Sequence, residues 1–249
     1  MKRIHELIKE VRHAHPKDTF FQNFERVLES CESTRAQYKS YNNVLCVLDE
    51  ASWQKLKEKA IEHYLNYRNG QLKQGFFNQL NEAFAYAFLV RRGYSNICFV
   101  PEDGTPRPDL SYQDRGRQCY CEVKTMGLSN DEIKLRTVAH PVAYSAYRQL
   151  SEGFLNKLGD HLCHAQEQIA SQGSDGLVYV VMRFDDFTLT NYPTYRKQLV
   201  NFLREYPEQE IFLRMGICGT RRIHNGHQLN PLQDAHRASE LRSETYATW

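Results

Sequence analysis

The sequence predicts an α/β fold, a mixed central sheet flanked by helices, preceded by a helical region. Three observations carry this expectation. Apolar residues recur at helical spacing through the first seventy positions. From Gly75 onward, helix-like segments alternate with short runs of strand composition. Two of those runs are separated only by a turn, which marks an antiparallel hairpin and argues against a purely parallel sheet. The expected organisation is a helical region over 1–70, an α/β core over 71–220 and a polar, flexible tail over 221–249.

Residues 2–12 place Ile4, Leu7, Ile8 and Val11 on one helical face, and residues 18–39 do the same with Phe20, Phe21, Phe24, Val27 and Leu28. After the apolar run Val44 to Leu48, Ser52 is the expected N-cap of a helix reaching about Tyr67, with Asn69 and Gly70 as its stop. The segment 75–93 is a strong helix through Phe77, Leu80, Phe84, Ala87 and Phe88, closed by Gly93. A strand at NICFVP follows, then a strand over Pro106 to Asp114, a turn at Asp114 to Gly116, and a strand over QCYCEVKTM. Residues 127–150 read as a loop with a helical end. A helix over 151–172, the apolar strand DGLVYVVMRF, a helix near 193–206 and a strand at Ile211 to Ile217 complete the core.

Composition sets wide bounds. The 32 basic and 30 acidic residues nearly balance, so net charge selects no partner class and local distribution must decide. The seven cysteines are scattered, an odd number without a CxxC pair, which fits a reducing cytoplasm. Charged residues interrupt every apolar run near the N-terminus, and no run approaches the roughly 18 residues that span a bilayer. A cytoplasmic chain with no membrane partner is expected.

The chemistry concentrates in one hairpin. Alternation along Gln118 to Met126 places Tyr120, Glu122 and Lys124 on one face and Cys119, Cys121 and Val123 on the other, where the two cysteines read as core. Pairing with the preceding strand brings Asp109 beside Glu122. Two carboxylates that would repel each other imply a cation, and Mg²⁺, or Mn²⁺ in its place, suits such a site. With Lys124 at the same point, the set suits phosphodiester cleavage. Taken singly, Asp109 is an ordinary turn residue and Glu122 and Lys124 an ordinary solvated face; their convergence favours a site.

RPDL at 107–110 followed by CEVKT at 121–125 resembles the signature of the PD-(D/E)xK nuclease superfamily, whose members share a restriction-endonuclease-like core. The resemblance covers residues 75–182 and implies a metal-dependent nuclease acting mainly on DNA. It assigns Asp109 and Glu122 to metal, Lys124 to catalysis, and Glu82, on the helix before the first strand, to a further metal-binding carboxylate. Gln166 or Gln168 falls where some branches carry a glutamine.

Arg91 and Arg92 end the preceding helix, and Arg107, Arg115, Arg117, Lys134 and Arg136 flank the motif as candidate phosphate contacts. His161, Cys163 and His164 lack zinc-site spacing and read as ordinary helix residues. TRRIHNGH at 220–227 reads either as a second phosphate contact or as a polar loop. Restriction, phage defence and repair all suit the resemblance, and double-strand cutting would favour a homodimer. Two rivals stand beside it: an inactive nucleic-acid-binding or protein-interaction module of the same fold, and a helical interaction protein that works through residues 1–70.

Overall fold

A computed structural model describes residues 1–67, 73–102, 104–127, 148–173, 175–184, 189–216, 221–225 and 227–228. The chain divides into two compact units, Met1–Val90 and Arg91–Trp249. The helix expected to open the α/β core lies almost wholly in the first of these units. That helix, α5 (Gln74–Arg91), buries side chains nearly all round, so its pattern names no single packing partner.

The first unit is helical: α1 (Lys2–Ala14), α2 (Phe24–Ser30), α3 (Glu32–Leu45), α4 (Glu50–Glu62), a 3₁₀ turn at His63–Leu65, and most of α5. The single helix expected over 18–39 is two, broken at Cys31, whose extended backbone both ends α2 and caps α3. An aromatic core forms where Phe21 meets Phe24, Tyr38, Tyr64 and Phe76 edge-on or stacked, with centroids 5.4 to 6.4 Å apart. Lys57 on α4 ties back to Glu6 and Glu10 on α1 at 3.1 and 2.8 Å.

The cap of α4 is Asp49 rather than Ser52. Its side chain accepts from the Ser52 backbone N–H at 2.7 Å, satisfying one of the otherwise unpaired donors of the first turn. Asp49→Ala is expected to cost about 1 kcal/mol by denaturant unfolding, and an unchanged midpoint would show that the cap contributes nothing.

The second unit carries a sheet in the order β1 to β7: β1 (Ser95–Phe99), β2 (Leu110–Asp114), β3 (Arg117–Met126), β4 (Gly176–Met182), β5 (Glu210–Met215), β6 (Arg221–His224) and β7 (His227–Gln228). Pairings are antiparallel among β1, β2 and β3, parallel from β3 through β5, and antiparallel again to β7. The mixed sheet expected from the sequence is therefore present. The connections β3 to β4 and β4 to β5 contain α6 (Glu152–Ala170) and α7 (Tyr192–Leu203). Because parallel crossovers are right-handed and the strands advance in one direction, both helices belong on one face of the sheet. Leu158, Leu162, Ala165 and Ile169 of α6 and Tyr195, Leu199 and Leu203 of α7 pack there against Val178, Val180, Ile211, Leu213 and Ile223.

Two expectations need correction. The second strand begins at Leu110 rather than Pro106, so Asp109 stands just ahead of the ladder. The polar tail expected from Arg221 instead opens with β6, whose Ile223 is fully buried. The remainder of the expected tail, and most of the loop at 127–150, lie outside the described residues. Among the described residues no helix is long and apolar enough to cross a membrane.

Candidate active site

The β2–β3 register builds the site. Leu110 pairs with Cys121 and Tyr112 with Cys119, which leaves Asp109 at the mouth of the ladder beside Glu122. The Asp109 backbone carbonyl accepts from the Val100 N–H at 2.9 Å, and its carboxylate Oδ2 accepts from the Val123 N–H at 2.7 Å. Both ends of the residue are thus fixed by backbone on either side. On β3, Cys119 and Cys121 turn to the buried face, while Glu122, Lys124 and Met126 share the face that α6 covers, Met126 joining the apolar cluster there.

Glu122 is only 3% exposed, an unusual place for a carboxyl group. Its Oε1 accepts from Lys124 Nζ at 2.6 Å, while Oε2 is buried with no hydrogen-bond partner. Burial and the neighbouring Asp109 carboxylate push the Glu122 pKa up to about 8, against the opposing pull of the Lys124 ammonium. Lys124 donates a second hydrogen bond, to Gln168 Oε1 on α6 at 2.6 Å, and Gln168 Nε2 donates to the Arg107 backbone carbonyl at 3.0 Å. Gln168 therefore links the strand, the helix and the loop before β2. Gln166 lies two positions earlier on the helix, where direction differs by roughly 200°, so the two side chains do not share a face.

The other predicted residues have the following partners. Glu82 is 4% exposed in the first unit, where its carboxylate accepts from Lys59 Nζ at 3.1 Å. Arg107 abuts the site through its backbone, and its side chain donates to Thr105 Oγ1 at 3.2 Å. Arg115 and Arg117 occupy the hairpin turn, and from Arg117 to Glu122 the strand runs roughly 16 Å. Arg117 is also paired with Asp175 at 3.2 Å. These two are remote from the carboxylates because the turn closes the opposite end of the hairpin. Arg92 bonds His224 at 2.7 Å. Lys134 and Arg136 lie outside the described residues.

Beside Lys124 opens a cleft of about 570 Å³, walled by Pro106 and by His161, His164, Glu167 and Gln168 of α6. His161 was not distinguished from an ordinary helix residue in the sequence. Its ring Nε2 is buried without a hydrogen-bond partner, and burial, with Lys157, Lys124 and His164 nearby, holds its pKa below the usual value against the pull of Asp160.

Asp109 and Glu122 are crowded carboxyl groups with oxygen donors of the kind a hard divalent cation would take. Among the described residues no group of three or more His, Cys, Asp or Glu side chains gathers around one point. Two carboxylates would suffice only for an ion that fills its other positions with water and phosphate, as Mg²⁺ commonly does. No protein-family model, curated protein or solved structure matches the chain.

Proposed function

We propose that the chain is a metal-dependent nuclease of the PD-(D/E)xK type, with a restriction-endonuclease-like core formed by its second compact unit. The observation that supports it is the convergence of Asp109, Glu122 and Lys124 at one end of the β2–β3 hairpin, Lys124 held between Glu122 and Gln168. Asp109 and Glu122 would hold the Mg²⁺ or Mn²⁺. Such an ion supplies Lewis-acid stabilisation of the charged phosphoryl group and lowers the pKa of a bound water.

The chain's own groups do the rest. Val123 N–H fixes the Asp109 carboxylate, so the acid is aimed before any substrate arrives. Lys124, pinned by two acceptors, presents its ammonium to the charge that develops on phosphate oxygens. Burial of Glu122 strengthens every one of these interactions by excluding water. Glu82 would add a further metal-binding carboxylate by the resemblance alone; within the first unit it is ion-paired with Lys59. DNA rather than RNA rests on the resemblance of RPDL and CEVKT alone, and so does a role in restriction, phage defence or repair.

Gln168 fixes Lys124 without meeting the phosphate. Gln168→Leu is expected to slow cleavage about tenfold while leaving substrate affinity nearly unchanged; an unchanged rate would remove Gln168 from the account. The reading as a whole is tested by incubating the full chain with supercoiled, linear and single-stranded DNA and with RNA, each with Mg²⁺, with Mn²⁺ and with chelator. Cleavage that appears only with metal supports it. A folded protein that binds these nucleic acids and cuts none of them supports the binding-module reading instead.

A further inference from the structure

Two further clefts in the second unit meet at Arg196 on α7. One, of about 410 Å³, is walled by Arg196, Val200 and Arg204, by Pro207, and by Asn225 just after β6. The other, of about 460 Å³, is lined by Arg196 and Arg221 together with Leu189, Tyr192 and Pro193. Neither shares a wall residue with the cleft beside Lys124. Among the described residues no Asp or Glu lines either cleft, and none pairs with Arg196, Arg204 or Arg221. The segment TRRIHNGH thus contributes Arg221 and Asn225 to one cationic groove.

Its polar groups are set up to donate. Asn225 adopts a left-handed backbone, φ 46°, and exchanges two hydrogen bonds with Ile211. Its N–H donates to the Ile211 carbonyl at 2.9 Å, and its Oδ1 accepts from the Ile211 N–H at 2.8 Å. Only the oxygen of the amide can accept that N–H, so the side chain's orientation is fixed and its Nδ2 group, with two donors, is the part left for the cleft. Arg221 lies over the Tyr192 ring at 5.1 Å, which holds its guanidinium in place. Arg196 and Arg204 stand eight positions apart, about 12 Å of helix rise, so the positive charge is spread along the groove. Leu189, Pro193, Val200 and Pro207 supply apolar surface between them.

We propose that this groove holds a single-stranded stretch of nucleic acid, with phosphates on Arg196, Arg204 and the Asn225 amide, and bases against the apolar surface and the Arg221 guanidinium. The ligand class rests on the nuclease reading; the strandedness follows from the groove. Donors without a competing carboxylate attract a phosphate backbone. A cationic groove with surface on which bases lie is how single strands are held without sequence readout, and guanidinium planes stack on splayed bases. A duplex keeps its bases paired inside, so it meets the arginines at the rim and leaves the apolar surface uncovered. Because no wall is shared with the Lys124 cleft, the groove adds affinity for nucleic acid beyond the bond that is cut and takes no part in the chemical step.

The test measures binding of an end-labelled single strand, and of the duplex of the same sequence, to the full chain in chelator over a range of salt, so that binding is read apart from cleavage. Arg196→Gln combined with Arg204→Gln is expected to weaken single-strand binding about tenfold or more and to lower the salt slope by roughly 1.4, about 0.7 for each lost phosphate contact. Asn225→Asp keeps an acceptor for the Ile211 N–H but replaces the donor with a charge, and should weaken it about fivefold at an unchanged melting temperature. Lys197→Gln removes a neighbouring charge of α7 that lines neither cleft, and should stay within about twofold of the wild type. Duplex affinity should fall less than about threefold in every variant. Unchanged single-strand affinity and salt slope in the double variant, an equal loss in Lys197→Gln, or equal losses on the two nucleic-acid forms overturns the inference and leaves the nuclease reading intact. A wild type that binds neither form overturns it as well. A wild type that cuts nothing with any metal overturns the nuclease reading, while the binding measured in chelator still decides the groove.

Discussion

Replacing Lys124 by Ala is expected to reduce metal-dependent cleavage by about 10² to 10³ or more, with substrate affinity changed only a few-fold. The asymmetry follows from position. One ammonium among several phosphate contacts adds little to binding, yet this one sits where charge grows as phosphorus is attacked. It is fixed by Glu122 and Gln168 at 2.6 Å each, so its placement costs no reorganisation at the moment of reaction. Lys124→Arg is expected to recover little, because a planar guanidinium fork cannot occupy the point between those two acceptors. Equal losses of affinity and rate would instead describe a general phosphate contact. The melting curve must be read alongside, since removal of Lys124 leaves Glu122 buried beside Asp109 without its cation.

The second large effect concerns pH and stability in the metal-free protein. The Glu122 pKa stands near 8 in the folded chain against 4.5 for the free side chain, so the folded state binds the proton more tightly than the unfolded one. Its contribution is therefore complete below pH 4.5 and is lost as pH rises toward 8, a total on the order of 3 to 5 kcal/mol. Chemical unfolding across that window should show stability falling with pH. Glu122→Gln, which cannot ionise, should flatten the slope. Mg²⁺ or Mn²⁺ should raise the wild-type melting temperature more at pH 8 than at pH 5, because metal and proton compete for the same oxygens. A stability profile that Glu122→Gln leaves unchanged would show that the pair is not strained as described.

How much of this was legible in the sequence differs from element to element. Strand β3 was legible because its period of two is unambiguous: Cys119 and Cys121 go inward, and Glu122 and Lys124 share the other face. β4 and β5 were legible as continuous apolar runs, since both are buried along almost their whole length. β6 was not, because a short strand held by backbone pairing to β5 and β7 needs little apolar content and RRIH offers only Ile223. The break at Cys31 carries neither Gly nor Pro, so helical spacing ran through it. The cap of α4 was misplaced by three residues because Asp49 and Ser52 are both good capping types, and only the observed hydrogen bond decides.

Within the site, Asp109, Glu122 and Lys124 could be named because strand alternation and one hairpin bring them together. Choosing Gln168 over Gln166 needed the rotational setting of α6, which no local pattern supplies. Glu82 illustrates the same limit. Its ion pair is not legible, because Lys59 comes from a different helix and no local pattern announces the contact.

The central claim is that the Asp109–Glu122 pair supports metal-dependent phosphodiester hydrolysis, and side-by-side cleavage by the wild type and Asp109→Asn tests it most directly. Asparagine keeps the size of the side chain and an acceptor for the Val123 N–H, so the fold should persist and only the charge is lost. The account predicts cleavage by the wild type with Mg²⁺, none with chelator, and a loss of about 10² or more in the variant at a melting temperature no lower than that of the metal-free wild type. Cleavage by Asp109→Asn at the wild-type rate, or wild-type cleavage that persists in chelator, would contradict it.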